Sequence, residues 1–148
     1  MSNKIPPPII TLTFGLAIYF SKPLFLDLSS GILDVTSLIF LILGIVTLGS
    51  AVNSFKKHET TINPIAIKKA SSLVISGAFK YSRNPMYLGM VFFLLAVTAK
   101  FNVLGGILIT FLFALFITKF QIIPEEEAMH EIFGEEFDSY KQKTRRWL

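Results

Sequence analysis

The sequence contains no cysteine. That removes disulfides, thiol catalysis and cysteine-ligated metal, though it points to no compartment. Charge is also sparse, at 16% of the 148 residues against 52% hydrophobic, a balance unlike that of a water-soluble domain. The basic residues lie beside apolar runs and form no separate domain, so the formal charge of +4 speaks for anionic lipid head groups and against nucleic acid. Internal repeats and low-complexity tracts are missing, and no metal ion is expected. After the first apolar stretch, Pro8 to Phe20, there is no small-residue cleavage site: Lys22, Pro23, Leu24 and Phe25 follow. The stretch therefore reads as a retained helix and not as a signal peptide.

What the sequence does hold is apolar length. Fifteen Phe and runs of Ile, Leu, Val and Phe broken by single Gly suit lipid-facing helices. Crossing ~30 Å of hydrocarbon takes about 20 such residues, and four segments approach that length. They run from Pro8 to Leu26, Ile32 to Ala51, Tyr87 to Phe101 and Val103 to Phe120. The third is short, since its apolar core ends at Ala99, and spans only with Met86 and Phe101 at the two interfaces. Lys100 to Asn102 leaves room for nothing but a tight hairpin before the fourth. The expected fold is one all-α integral membrane domain over residues 1–148, with four transmembrane helices and a C-terminal amphipathic helix in the cytoplasm.

Charge orients this bundle. Between Val52 and Pro85 lie Lys56, Lys57, Lys68, Lys69, Lys80 and Arg83 against one acid, Glu59. The opposite turns hold Lys22 with Asp27, and Lys100. Four spans then place both termini in the cytoplasm, with Lys4, Lys141, Lys143, Arg145 and Arg146. Lys56, Lys57, Arg145 and Arg146 read as membrane anchors. Pro124 and the acids Glu125 to Glu127 read as a helix start. From there Met129, Ile132, Phe133, Phe137 and Tyr140 make one apolar stripe over 124–141, with Gly134 as a candidate break.

Two segments at the cytoplasmic ends of spans carry candidate chemistry. In the first, Ser71 and Ser72 lead through Gly77 to Phe79, Tyr81, Arg83, Asn84, Pro85, Met86, Tyr87 and Gly89. Arg83 can fork a carboxylate, Asn84 can donate and accept, and Phe79, Tyr81 and Tyr87 offer flat faces to an adenine ring or a sulfonium. The second segment is the paired acid Glu125 and Glu126. Singly, each residue has an ordinary reading: Arg83 and Lys80 as anchors, the tyrosines as an interfacial belt, the glutamates as a solvated helix start. Together, at the base of spans, they cost stability unless paired or used.

Gly77 to Gly89, Gly-Ala-Phe-Lys-Tyr-Ser-Arg-Asn-Pro-Met-Tyr-Leu-Gly, resembles the first signature of the isoprenylcysteine carboxyl methyltransferases and their phospholipid methyltransferase relatives. Glu125-Glu126-x-x-Met129-x-x-x-Phe133-Gly134-x-x-Phe137-x-x-Tyr140 is similar to the second. The likeness covers Thr60 to Leu148, and Thr60 to Pro64 resembles a segment of small bacterial members, which implies a bacterial inner membrane. The resemblance implies a methyltransferase using S-adenosylmethionine, with Ser71, Ser72, Leu73 and Val74 lining the donor and Phe79 packed on it. Asn84, Pro85, Met86 and Tyr87 would form a second wall, Glu125 would hold a polar part of the donor, and Arg83 and Glu126 would serve catalysis. Asn84 stands where many members have His. Gln121 stands where the family directs a basic residue at the substrate carboxylate, with Lys119 the nearest cation. A lipid-like or prenylated carboxyl acceptor and a phospholipid amine or other hydrophobic molecule therefore both stay open, beside a non-catalytic membrane scaffold.

Overall fold

Proline sits in the first turn of two helices of the computed structural model, which describes residues 5–28, 30–58 and 71–148. Its fixed φ suits that turn, and its missing N–H is not needed there. Helix α1 covers Pro7–Phe20, α2 Gly31–Lys57, α3 Pro85–Phe101, α4 Val103–Ile117, α5 Ile123–Phe133 and α6 Glu135–Lys143. Among the described residues there are no strands. Lys4, Glu59, Lys68, Lys69 and the Thr60 to Pro64 segment lie outside the described residues.

α1 stops at Phe20, short of the Leu26 expected from hydropathy. Pro23 is the cause: it disfavours helical backbone before it and lacks a donor, so Lys22–Leu24 closes as a single 3-10 turn. α2 runs past Ala51 to Lys57, capped at its start by Ser30 Oγ, which accepts from Leu33 N at 3.3 Å. Asp34 in its first turn and Lys56 and Lys57 in its last complement the helix dipole. α3 and α4 are joined through Asn102 alone, the tight hairpin expected. Its side chain accepts from Gly105 N at 3.0 Å and donates to Ser21 Oγ at 2.9 Å, tying α1 to the hairpin.

No helix starts afresh at Pro124. The chain is helical from Val103 to Phe133, passing through a π-helical turn at Thr118–Ile122. A proline in mid-helix removes a donor and crowds the carbonyl four residues before it, and the wider π turn relieves both. The break comes at Gly134, whose φ of +50° and ψ of −123° no L side chain adopts readily. The apolar stripe is thus split between α5 and α6: Met129, Phe133, Phe137 and Tyr140 pack inward, while Ile132 is exposed.

α3 is the central helix, packed on α1, α2 and α4. Close approach depends on small residues. A Cβ at Gly89 would meet Leu48 Cγ at 2.8 Å, and one at Gly106 would meet Thr98 Oγ1 at 2.5 Å. The buried hydroxyls of Thr98 and Thr110 satisfy each other at 3.2 Å. α2 and the Val103–Phe133 rod are long and apolar enough to cross a membrane; α1 and α3 are shorter apolar helices. The face of α2 carrying Ile32, Val35, Ile39, Ile42 and Val46 is exposed, as lipid contact requires.

Candidate functional site

Two apolar clusters bring the candidate segments together. In one, Tyr87 packs with Ile10, Ile18, Met90, Leu94, Phe113, Ile117 and Ile122. In the other, Leu73, Val74 and Phe79 pack with Ala51, Phe137 and Tyr140, with Met86 against them. The turn Gly77–Lys80 is pinned from both sides: Tyr140 Oη donates to the Phe79 carbonyl at 2.6 Å, and Ser54 Oγ donates to the Ser76 carbonyl at 3.4 Å. Gly77 takes φ +60° beside Ser54, where a Cβ would lie 2.5 Å from Ser54 Oγ. Sequence order therefore hides a contact: the helix that carries the second motif clamps the first.

The polar residues form a layer above those clusters. Tyr87 Oη donates a hydrogen bond to Glu125 Oε1. Arg83 reaches Glu126 Oε1 from Nη2 at 2.8 Å and from Nε at 3.2 Å. Arg146 grips the same carboxylate from the other side, Nη2 to Oε2 at 2.6 Å and Nε to Oε1 at 3.2 Å. Neighbouring glutamates thus face opposite surroundings. The apolar run of the rod, Val103 to Phe120, ends before both acids. Burial lifts the Glu125 carboxyl well above the usual carboxylate range; the Tyr87 hydrogen bond works against the rise, and the Glu126 charge adds to it. Burial would raise Glu126 too, but hydrogen bonds and charge from Arg146 and Arg83 outweigh it and hold that carboxyl below its ordinary value.

The remaining predicted residues fall into place around this layer. Asn84 is buried, and its Nδ2 donates to the Arg146 carbonyl at 3.0 Å. Pro85 opens α3 and is fully buried. Ser71 is exposed, and Ser72 Oγ donates to the His58 carbonyl at 3.1 Å. No turn or helix hydrogen bond among the described residues occupies the backbone amides of Leu73, Val74 and Ile75. Gln121 and Lys119 are not brought into the layer. Gln121 is buried, with Nε2 donating to the Ile5 carbonyl at 3.2 Å, and Lys119 is exposed with its Nζ 5.6 Å from the Phe120 ring centre.

Arg146, read from sequence as an anchor, belongs to the site. Its guanidinium is spent on Glu126, while Arg145 beside it is exposed. No periodicity links positions 126 and 146, because Gly134 and the turn after α6 separate them; only the surplus of acids over nearby cations in α5 hinted at a distant partner. Among the described residues no group of His, Asp and Glu could hold a metal ion.

The family model described as phospholipid methyltransferase matches residues 33–136. The chain belongs to the phospholipid methyltransferase family. That match takes in the three longest apolar helices, the Arg83 to Tyr87 run and both glutamates, so the layer just described sits in a membrane methyltransferase. Arg146 lies beyond the matched region. An uncharacterized protein of Haemophilus influenzae is 43% identical over 63 residues, which is 43% of this chain and the whole of that protein. No solved structure matches the chain.

Proposed function

We propose that this methyltransferase uses S-adenosylmethionine and acts on an acceptor delivered through the bilayer, with α1 and α3 crossing the membrane alongside the two longer helices. Contacts at both ends support four crossings. Lys100 Nζ meets Asp34 Oδ1 at 2.8 Å, and Asn102 meets Ser21 at one end; Gln121 meets Ile5 at the other. All four helices therefore run between the same two levels, with both described termini at the level of the polar layer.

The observation that carries the reading is the Tyr87–Glu125 pair: a buried acid, aimed by a tyrosine, at the meeting point of two motifs that the sequence keeps 38 residues apart. The residues fit the donor. Glu125 offers negative charge to its cationic centre, the amides of Leu73 to Ile75 suit its carboxylate, and Phe79 and Tyr87 give it apolar surface. When bound, the donor supplies a methyl group activated by the sulfonium. Everything else is alignment and desolvation by the protein.

Both guanidiniums of the layer are taken by Glu126, so a carboxylate acceptor finds no spare cation among these side chains, whereas an amine finds Glu125. This favours a lipid amine. Its nitrogen must shed a proton as the N–C bond forms and the C–S bond breaks; Glu125 takes that proton, and Tyr87 holds the carboxylate in position. Carboxyl O-methylation, implied by the isoprenylcysteine resemblance, is the second reading, supported by the Arg83-Asn84-Pro85-Met86-Tyr87 run; that acceptor needs no base. Protein in lipid nanodiscs should bind S-adenosylmethionine by calorimetry, and a folded protein that fails to bind overturns the proposal. Tritiated methyl transfer followed by base treatment separates the acceptors, since only a methyl ester releases volatile methanol.

A further inference from the structure

After α6 the chain turns extended at Thr144, with φ −128° and ψ 131°, and lies along the residues just before α3. Each of its next carbonyls is taken. Arg83 Nη1 donates to Thr144 at 2.6 Å, the Arg83 amide to Arg145 at 2.9 Å, and Ser82 Oγ and Asn84 Nδ2 to Arg146 at 3.3 and 3.0 Å. Thr144 and Ser82 are buried, and Trp147 rests on the cluster that holds Tyr87. This strap thus fixes by main chain what Arg146 fixes by side chain. A clip that only held the terminus down would not need the one side chain that closes both oxygens of Glu126.

We infer that the strap Thr144 to Arg146 is a wall of the active site and that Arg146 is a positioning residue, setting through Glu126 the protonation of Glu125. The inference rests on the reading of Glu125 as the proton acceptor. Among the described residues, the charged and titratable groups facing Glu125 are few. Tyr87 comes from α3, Glu126 from its own helix, and Arg83 and Arg146 stand behind Glu126 from the α3 approach and the strap. Lys119, earlier on the same rod, is exposed. Two cations against one anion leave Glu126 more than neutralised. Without Arg146, Oε2 loses its partner, and more of the Glu126 charge bears on Glu125. A like charge nearby disfavours ionisation, so Glu125 must then keep its proton to higher pH.

Infrared titration of the reconstituted protein reads this directly and needs no acceptor. The band of the protonated Glu125 carboxyl is assigned by its loss in Glu125→Gln. In Arg146→Gln the midpoint of that band should rise by about half a pH unit or more. Arg146→Lys, which keeps the charge and loses the fork, should titrate near the wild-type midpoint. A wild-type midpoint in Arg146→Gln, with helicity and donor binding retained, overturns the inference, as does a Glu125→Gln spectrum that loses no band. Failure of the wild-type protein to bind S-adenosylmethionine would instead overturn the methyl-transfer reading, leaving the titration to stand on its own.

Discussion

Lys100 meets Asp34 at 2.8 Å with 50% and 60% of their side-chain surfaces exposed; Arg83 meets Glu126 at the same 2.8 Å with 11% and 13% exposed. The two ends of the bundle therefore use ion pairs of equal length in unequal solvent. At the outer end, water screens the pair, and nothing else needs to approach it. At the other end, two charges taken out of water are tolerable only if their remaining lone pairs and protons are also met. That is why Glu126 recruits a second guanidinium and Arg83 recruits the Thr144 carbonyl. Beside this network the structure sets Glu125, the neighbouring carboxyl of the same helix, whose hydrogen bond comes from Tyr87 and not from a guanidinium.

The sharpest way to test that contrast is Glu126→Ala. It leaves two guanidiniums facing each other without an anion, and breaking a buried pair by deleting one partner costs about 3–5 kcal/mol. Chemical denaturation in detergent should show a loss of that order, with Glu126→Gln milder. The carboxyl is held below its ordinary value, so the stability it contributes is present above the unfolded-state value, about 4.3. It is lost as pH falls through the folded one. A loss under 1 kcal/mol would mean the cluster is solvated in the membrane protein and the contrast between the two ends is empty.

Glu125→Gln comes next, and its effect on stability has the opposite sign. Here the folded value lies above the unfolded one, so the stability associated with the protonated acid is complete below about pH 4.3. It drains away as pH rises through the folded value. Wild-type thermal stability should therefore decline from mildly acid toward neutral pH, and Glu125→Gln should lack that part of the slope. At neutral pH the variant should be at least as stable as wild type while methyl transfer is lost. An unchanged slope in the variant would place the ionisation elsewhere.

Much of this arrangement was legible in the chain. Apolar length gave the four helices, Lys100 to Asn102 the hairpin, and the two motifs marked Arg83, Tyr87, Glu125 and Glu126. The misses share a physical origin. Pro124 looked like a helix start because proline chemistry is local, whereas the π turn that absorbs it depends on the whole rod. Pro23 ended α1 early against the pull of hydropathy. Gln121 and Arg146 were placed by neighbours in sequence, yet one is fixed by the carbonyl of Ile5 and the other by an acid 20 residues away. Periodicity within one helix carries no information about a strap that crosses between elements, and a basic residue near a terminus looks alike whether it faces lipid head groups or a buried acid.

The smallest effect is expected at the outer end, where the comparison is most easily broken. Lys100→Ala and Asp34→Ala should each change stability by under about 1 kcal/mol, because an exposed pair gains little in high dielectric and loses side-chain entropy to hold its geometry. A double-mutant cycle isolates their coupling, and raising the salt concentration should shrink it further, since exposed charges are the ones that salt screens. The Asn102 bridge to Ser21 and Gly105 remains in both variants, so the hairpin keeps its shape and the measurement reads the pair alone. Coupling well above 1 kcal/mol, insensitive to salt, would show that the outer pair is also withdrawn from water in the bilayer. Burial in the protein would then no longer be what distinguishes the Glu126 cluster, and the weight would fall on its second arginine.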